Sequence, residues 1–194
     1  MTIDIAVLFS GGGRTVLNLL NQIEVGTLDA NISLAIASRE GLVGIDRLTE
    51  RGLDVAIARR VDEPLELGDS RTVAWLEDAR PSLICLCGYL RLLHIEPWME
   101  GRVMNIHPAL LPNHGGKGMF GMHVHESVIE SGDQQSGCTV HFVDEQYDHG
   151  ETIVQHTCQV DVDETPQSLA DKVFRLECNA YVEAINKVAS KHKV

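Results

Sequence analysis

Short apolar runs alternate with stretches of helical periodicity from the N-terminus to Asn105. Ile3 to Phe9 (IDIAVLF) is a continuous apolar run that predicts a buried strand, and after a glycine-rich turn VLNLLNQIEVG carries its apolar residues at helical spacing. Asn31 to Ala37 predicts a second strand, Val43 to Glu50 a helix ending near Gly52, and Leu53 to Ala58 a third strand. Asp69-Ser70 reads as the N-cap of a helix over Arg71 to Ala79, which Pro81 ends. Leu83 to Cys87 (LICLC) has the unbroken apolar character of a central parallel strand, followed by a helical turn over Pro97 to Glu100 and a strand from Val103.

The pattern changes after Asn105. A glycine-rich loop and a short helix lead to strands at Thr139 to Val143 and Thr152 to Val160, whose short connection suits an antiparallel pair. Thr165-Pro166 opens a final helix from Gln167 to about Ala189, and the Lys-His-Lys tail beyond it is expected to fray. The predicted fold class is therefore α/β: a Rossmann-like, doubly wound, mostly parallel sheet with a C-terminal antiparallel strand and a long final helix. No linker, repeat or low-complexity segment interrupts it, so residues 1–194 are expected to form one domain.

Composition narrows the function classes. A chain of 194 residues, 44% hydrophobic and 23% charged, is an ordinary globular protein. The net charge of −12 argues against a nucleic-acid partner, which needs a basic surface along the phosphate backbone, but not against a small phosphorylated ligand. Cys85, Cys87, Cys138, Cys158 and Cys178 lie in apolar runs, and their odd number suits a reducing compartment. With no signal-peptide pattern and no apolar run of about 18 residues, a cytoplasmic protein without membrane contact is expected, as a monomer or homodimer.

Candidate chemistry clusters at the predicted carboxyl ends of strands, where ligands bind in open α/β sheets. Ser10-Gly11-Gly12-Gly13-Arg14-Thr15 brings backbone N–H groups and a helix N-terminus together, as a phosphate cradle does. A dinucleotide fingerprint would need glycine where Val16 stands; a tight structural turn is the other reading. Asn105 and His107 end a strand on one face, and Asp148 sits in a later loop that can return to that edge. An amide, an imidazole and a carboxylate are the groups that stabilise an oxyanion and move a proton. No serine or cysteine nucleophile adjoins His107, which favours direct attack by a substrate amine. His114, His123 and His125 follow closely, but no well-spaced carboxylate or cysteine completes a metal set, so loop packing or substrate contact is expected of them and no metal is expected.

The ordered set Asn105-Ile106-His107-Pro108-Ala109-Leu110-Leu111-Pro112, His123-Val124-His125, Thr139-Val140-His141-Phe142-Val143 and Asp148-His149-Gly150 resembles the folate-dependent formyltransferases, from the first strand to the last helix. The resemblance is strongest to the branch that formylates the amine of 5-phosphoribosylglycinamide in purine (IMP) synthesis, with 10-formyltetrahydrofolate as donor. It implies that Asn105 and a protonated His107 stabilise the oxyanion while Asp148 raises the imidazole pKa and assists a proton relay. It implies further that Gly12, Gly13, Arg14 and Thr15 hold the substrate phosphate and that Glu177 lies near the substrate amine. Arg71, Leu90, Arg91, Leu92, Leu93, Asn105, Val143 and Asp144 match folate-contacting positions.

Two departures from the family pattern stand out: the Asn113-to-Met122 connector is longer than in many members and is expected to shape the lip of the cleft, and Phe174 stands where a basic residue is usual, with Arg175 one position off. Transferases acting on tRNA add a C-terminal domain and folate deformylases an N-terminal one, and neither is expected here. An enzyme acting on a nucleotide amino-sugar, or a non-catalytic nucleotide-binding module, is the alternative reading.

Overall fold

A computed structural model describes residues 2–191. The fold is α/β and Rossmann-like, with a mostly parallel sheet, an antiparallel C-terminal strand and a long last helix. It divides into two compact units, Met1–Met104 and Asn105–Val194. The expected fraying of the Lys-His-Lys tail concerns mostly residues outside the described ones.

The first unit carries β1 (Ile3–Phe9), α1 (Arg14–Glu24), β2 (Ala30–Ala37), α2 (Val43–Glu50), β3 (Val55–Ile57), α3 (Leu65–Ala79) and β4 (Leu83–Leu86), then a 3-10 turn at Pro97–Met99. Its strands run in the order β3-β2-β1-β4, all parallel. β1 lies between β2 and β4, which explains why Ile5 to Phe9 are fully buried on both faces and why their sequence shows no alternation.

The start of α3 corrects the expected Asp69-Ser70 cap. The helix begins at Leu65, after Pro64 in extended conformation. Ser70 lies inside it, its hydroxyl donating to the Glu66 carbonyl at 2.8 Å, and the Asp69 carboxylate is taken by Arg91. Ser and Asp favour caps because they can bond locally to backbone, and here both found other partners. Gly68 masked the helix in the sequence; a Cβ there would stand 2.9 Å from Arg59 Cβ, so the glycine is needed for close packing.

β5 (Val103–His107) leads into the second unit, which holds α4 (Met122–Ser131), β6 (Gln135–Phe142), β7 (Thr152–Gln159) and α5 (Pro166–Lys191). β6 and β7 are antiparallel as expected, but β6 starts at Gln135, before Thr139, because Gln135 to Cys138 pair with Gln159 to His156. α5 packs on both strands and on α4, and its Leu169, Val173, Ala180, Tyr181, Ala184 and Ile185 are fully buried. Among the described residues no helix is long and apolar enough to cross a membrane.

Candidate active site

In the first unit the glycine-rich turn delivers Gly13 as the N-cap of α1 with φ of 71°, a conformation that glycine adopts without strain. Gly13 itself offers no side-chain cap, so the N-terminus of α1 opens on the glycine-rich turn alone. The turn is braced by α2: Gly44 N–H donates to the Gly11 carbonyl at 3.3 Å and Arg47 to the Gly12 carbonyl at 3.3 Å. A Cβ on Gly44 would lie 2.7 Å from that Gly11 oxygen, so α2 can approach only as glycine.

The same unit encloses a cavity of about 200 Å³ lined by Ser10, Ser38, Arg39, Arg59, Leu65, Gly68, Asp69, Leu90 and Arg91. Two expected folate residues, Leu90 and Arg91, line it. Leu90 N–H is held by Ser10 Oγ at 2.9 Å, and Arg91 Nε by Asp69 at 3.0 Å. Leu92 is exposed and Leu93 is core. Arg71 is not in the lining; it closes on Glu63, with Nη2 2.8 Å from Oε1, and donates to the Ala58 carbonyl. That bond holds the Glu63 carboxyl down at about 2.

The second unit gathers Asn105, His107 and Asp148. Asn105 Nδ2 lies 3.3 Å from Asp148 Oδ1, and His107 Nδ1 lies 3.5 Å from Asp148 Oδ2. Asp148, with φ of 53°, also accepts from Gly116 N–H at 3.0 Å. His141, quoted in the family pattern but given no role there, joins the group: Asn105 Nδ2 is 3.2 Å from its Nε2, and its Nδ1 faces the Phe142 carbonyl at 2.8 Å. A carbonyl only accepts, so His141 carries its proton on Nδ1 and receives Asn105 through Nε2. The sequence signal was its place inside the strand-like run Thr139 to Val143 of the family pattern, which became β6.

His107 is 4% exposed, and its Nε2 donates to the His114 carbonyl at 2.8 Å. Burial pulls its pKa below the ordinary imidazole value, outweighing the Asp148 carboxylate and the His114 carbonyl, which act upward. This direction runs against the imidazolium expected from sequence and favours the neutral ring, in which donation from Nε2 to the His114 carbonyl leaves Nδ1 as the nitrogen beside Asp148. Burial also works against the charge of Asp148, but His141, His107 and the Gly116 N–H together hold its carboxyl below the ordinary range.

The remaining expected residues of the second unit have surroundings of their own, although the charges of His141 and His107 reach Asp144 and His125. Asp144 turns to His149 Nδ1 at 2.6 Å, and Val143 is half-buried beside it. Glu177 sits half-buried on α5, where its charge adds to burial in pushing the Cys138 thiol up to about 12. His123 is exposed and pairs with Glu126, whereas His125 is buried with Nδ1 lacking a protein partner. The Asn113-to-Met122 connector was expected only at a lip; its first residues instead supply the His114 carbonyl and the Gly116 N–H to the site. Among the described residues no His/Cys/Asp/Glu group is placed to hold a metal ion.

Comparison with known proteins places this geometry in context. Residues 3–185 match the formyl transferase family. The chloroplastic phosphoribosylglycinamide formyltransferase of Arabidopsis thaliana is 34% identical over 96% of the chain, and that of Vigna unguiculata 34% over 98%. The chain spans 65% and 62% of the length of these two relatives. Crystal structures of phosphoribosylglycinamide formyltransferase from Brucella melitensis (TM-score 0.85, 30% identity, 97% of this chain and 96% of that one) and Bacillus halodurans (0.83, 27%, 98% and 97%) share the fold. With residues 3–185 matched, the chain belongs to the formyl transferase family.

Proposed function

We propose that the chain transfers a formyl group from 10-formyltetrahydrofolate to the amine of 5-phosphoribosylglycinamide, in purine synthesis. The observation that carries this reading is the convergence of Asn105, His107 and Asp148 in a chain of this family whose relatives bear that name.

The chemistry assigned to these residues follows from their protonation. The substrate amine attacks the formyl carbon, a C–N bond forms, and negative charge develops on the formyl oxygen. Asn105 stabilises that oxyanion by giving up one of its two contacts, to His141 or to Asp148. His107 takes the amine proton at Nδ1, and Asp148 stabilises the imidazolium that results. The cationic ring then supports the oxyanion and returns the proton to the departing nitrogen of tetrahydrofolate as the second C–N bond breaks. No metal is required for any step.

Binding roles are assigned on chemistry. The glycine-rich turn, with Gly12, Gly13, Arg14 and Thr15 at the N-terminus of α1, suits the phosphate of the acceptor, because the helix dipole favours an anion there. Leu90 and Arg91, in a cavity with Arg39 and Arg59, suit a ligand that carries both an apolar ring and carboxylates, as folate does. Glu177 is assigned to the amine end of the acceptor and Asp144 with Val143 to the donor, as the family resemblance implies. Incubation of the purified protein with this substrate pair, followed by detection of the formylated product, tests the reading.

A further inference from the structure

We propose that His114 is a positioning residue for His107: clamped by Ser127 and Asp133, it presents its backbone carbonyl to His107 Nε2 and so leaves Nδ1 as the nitrogen that takes a proton. The inference rests on the reading that His107 acts in formyl transfer.

Three observations in the second unit carry it. The His114 ring is held at both nitrogens, Nδ1 by Ser127 Oγ at 2.8 Å and Nε2 by Asp133 Oδ2 at 2.8 Å. Since a carboxylate only accepts, Nε2–H donates to Asp133, and in the neutral ring Nδ1 receives the Ser127 hydroxyl. His114 has φ of 54°, a left-handed conformation uncommon for a residue with a side chain, and it is this conformation that goes with the carbonyl facing His107 at 2.8 Å. The chain then presses against Asp148. A Cβ on Gly115 would stand 2.5 Å from Leu111 Cδ2 and 3.3 Å from Asp148 Cβ, and Gly116 N–H donates to Asp148 Oδ2.

One short segment thus supplies an acceptor to His107 and a donor to Asp148, and its side-chain anchors are both on or just after α4. Ser127 is on the helix; Asp133 follows Gly132, whose φ of 73° ends it. A neutral imidazole with a carbonyl at Nε2 must leave Nδ1 unprotonated. Without the carbonyl, the proton can move to Nδ1 and face Asp148, which blocks the nitrogen that receives the amine proton. The titratable groups facing His107 are Asp148, His141, His114 and His125. None but His114 is part of the clamp, so its removal leaves the other charges in place.

The test reads the His107 ring directly, by 15N NMR of the whole chain, in wild type and in the Ser127→Ala/Asp133→Ala double variant. Wild type is expected to show Nε2–H and unprotonated Nδ1. The double variant is expected to shift toward the Nδ1–H form and to lower the His107 pKa by about one pH unit, the size of one hydrogen bond to a charged group. Formyl transfer should lose about tenfold in kcat with KM little changed. Ser127→Ala alone, which removes one hydroxyl, keeps the test available if the double variant does not fold, and should shift the tautomer partway. Ser127→Thr, which keeps the hydroxyl, should restore the wild-type ring. An unchanged tautomer and titration in folded variants would overturn the clamp. Because this readout needs no substrate, absence of formyl transfer in wild type would instead count against the proposed reaction.

Discussion

His107 Nδ1 faces Asp148 Oδ2 at 3.5 Å while the opposite ring nitrogen donates to a backbone carbonyl. A buried neutral imidazole so placed can accept a proton only on the side where a carboxylate stabilises the resulting cation. Asp148→Asn keeps the shape and removes the charge. Formyl transfer should fall by about 10²–10⁴ in kcat, the range for loss of acid–base assistance, and the pH–rate profile should move to lower pH because the carboxylate no longer raises His107. A profile that stays in place would detach Asp148 from the proton transfer.

Asn105 bridges His141 Nε2 and Asp148 Oδ1. Asn105→Ala removes the amide donor and should lower kcat by about 10²–10³, the effect of losing one oxyanion donor. Equal loss from KM, with kcat intact, would make Asn105 a binding residue instead.

The pH dependence of stability follows from His107 and His125, both held below the ordinary value of 6.5 by burial as the largest cause. Above pH 6.5 both rings are neutral in the folded and unfolded chain and cost nothing. As pH falls below 6.5 the unfolded chain binds protons that the folded chain resists, so stability declines through the window down to the folded pKa values. The urea midpoint should therefore drop from pH 7.5 to about pH 5, and His125→Asn should flatten part of that slope. A midpoint that rises on acidification would contradict the burial of neutral rings.

Two glycines separate steric from backbone effects. A Cβ at Gly137 would lie 1.9 Å from the His156 carbonyl oxygen across the β6–β7 pair, so Gly137→Ala should destabilise by about 3 kcal/mol, the upper end for overpacking. Gly132 has open space around it but φ of 73°, and Gly132→Ala should cost about 1–2 kcal/mol from conformation alone. Equal losses in urea denaturation would show that strand approach at Gly137 is not the constraint.

The elements most legible in the sequence are those whose signal is local and redundant. β1 and α2 keep their expected bounds because an unbroken apolar run and a periodic stripe each specify their own burial. Asn105, His107 and Asp148 were legible as a set because two end one strand and the third returns from a loop. α3 was not, since Gly68 and the Asp69-Ser70 pair imitate a helix start whose real cause is Pro64. Nor was the downward pull on the His107 pKa, which comes from its burial at 4% exposure, and burial is a property of the packed chain. The use of His114 through its carbonyl was invisible for a related reason: any residue has a carbonyl, and only the backbone conformation aims it.

The most direct measurement is formyl transfer by purified protein, without added metal, from 10-formyltetrahydrofolate to 5-phosphoribosylglycinamide, with a nucleotide amino-sugar as the competing acceptor. The account predicts turnover with the ribosylglycinamide, lost in Asn105→Ala and His107→Ala. Turnover with the amino-sugar alone, or transfer that survives both substitutions, would contradict it.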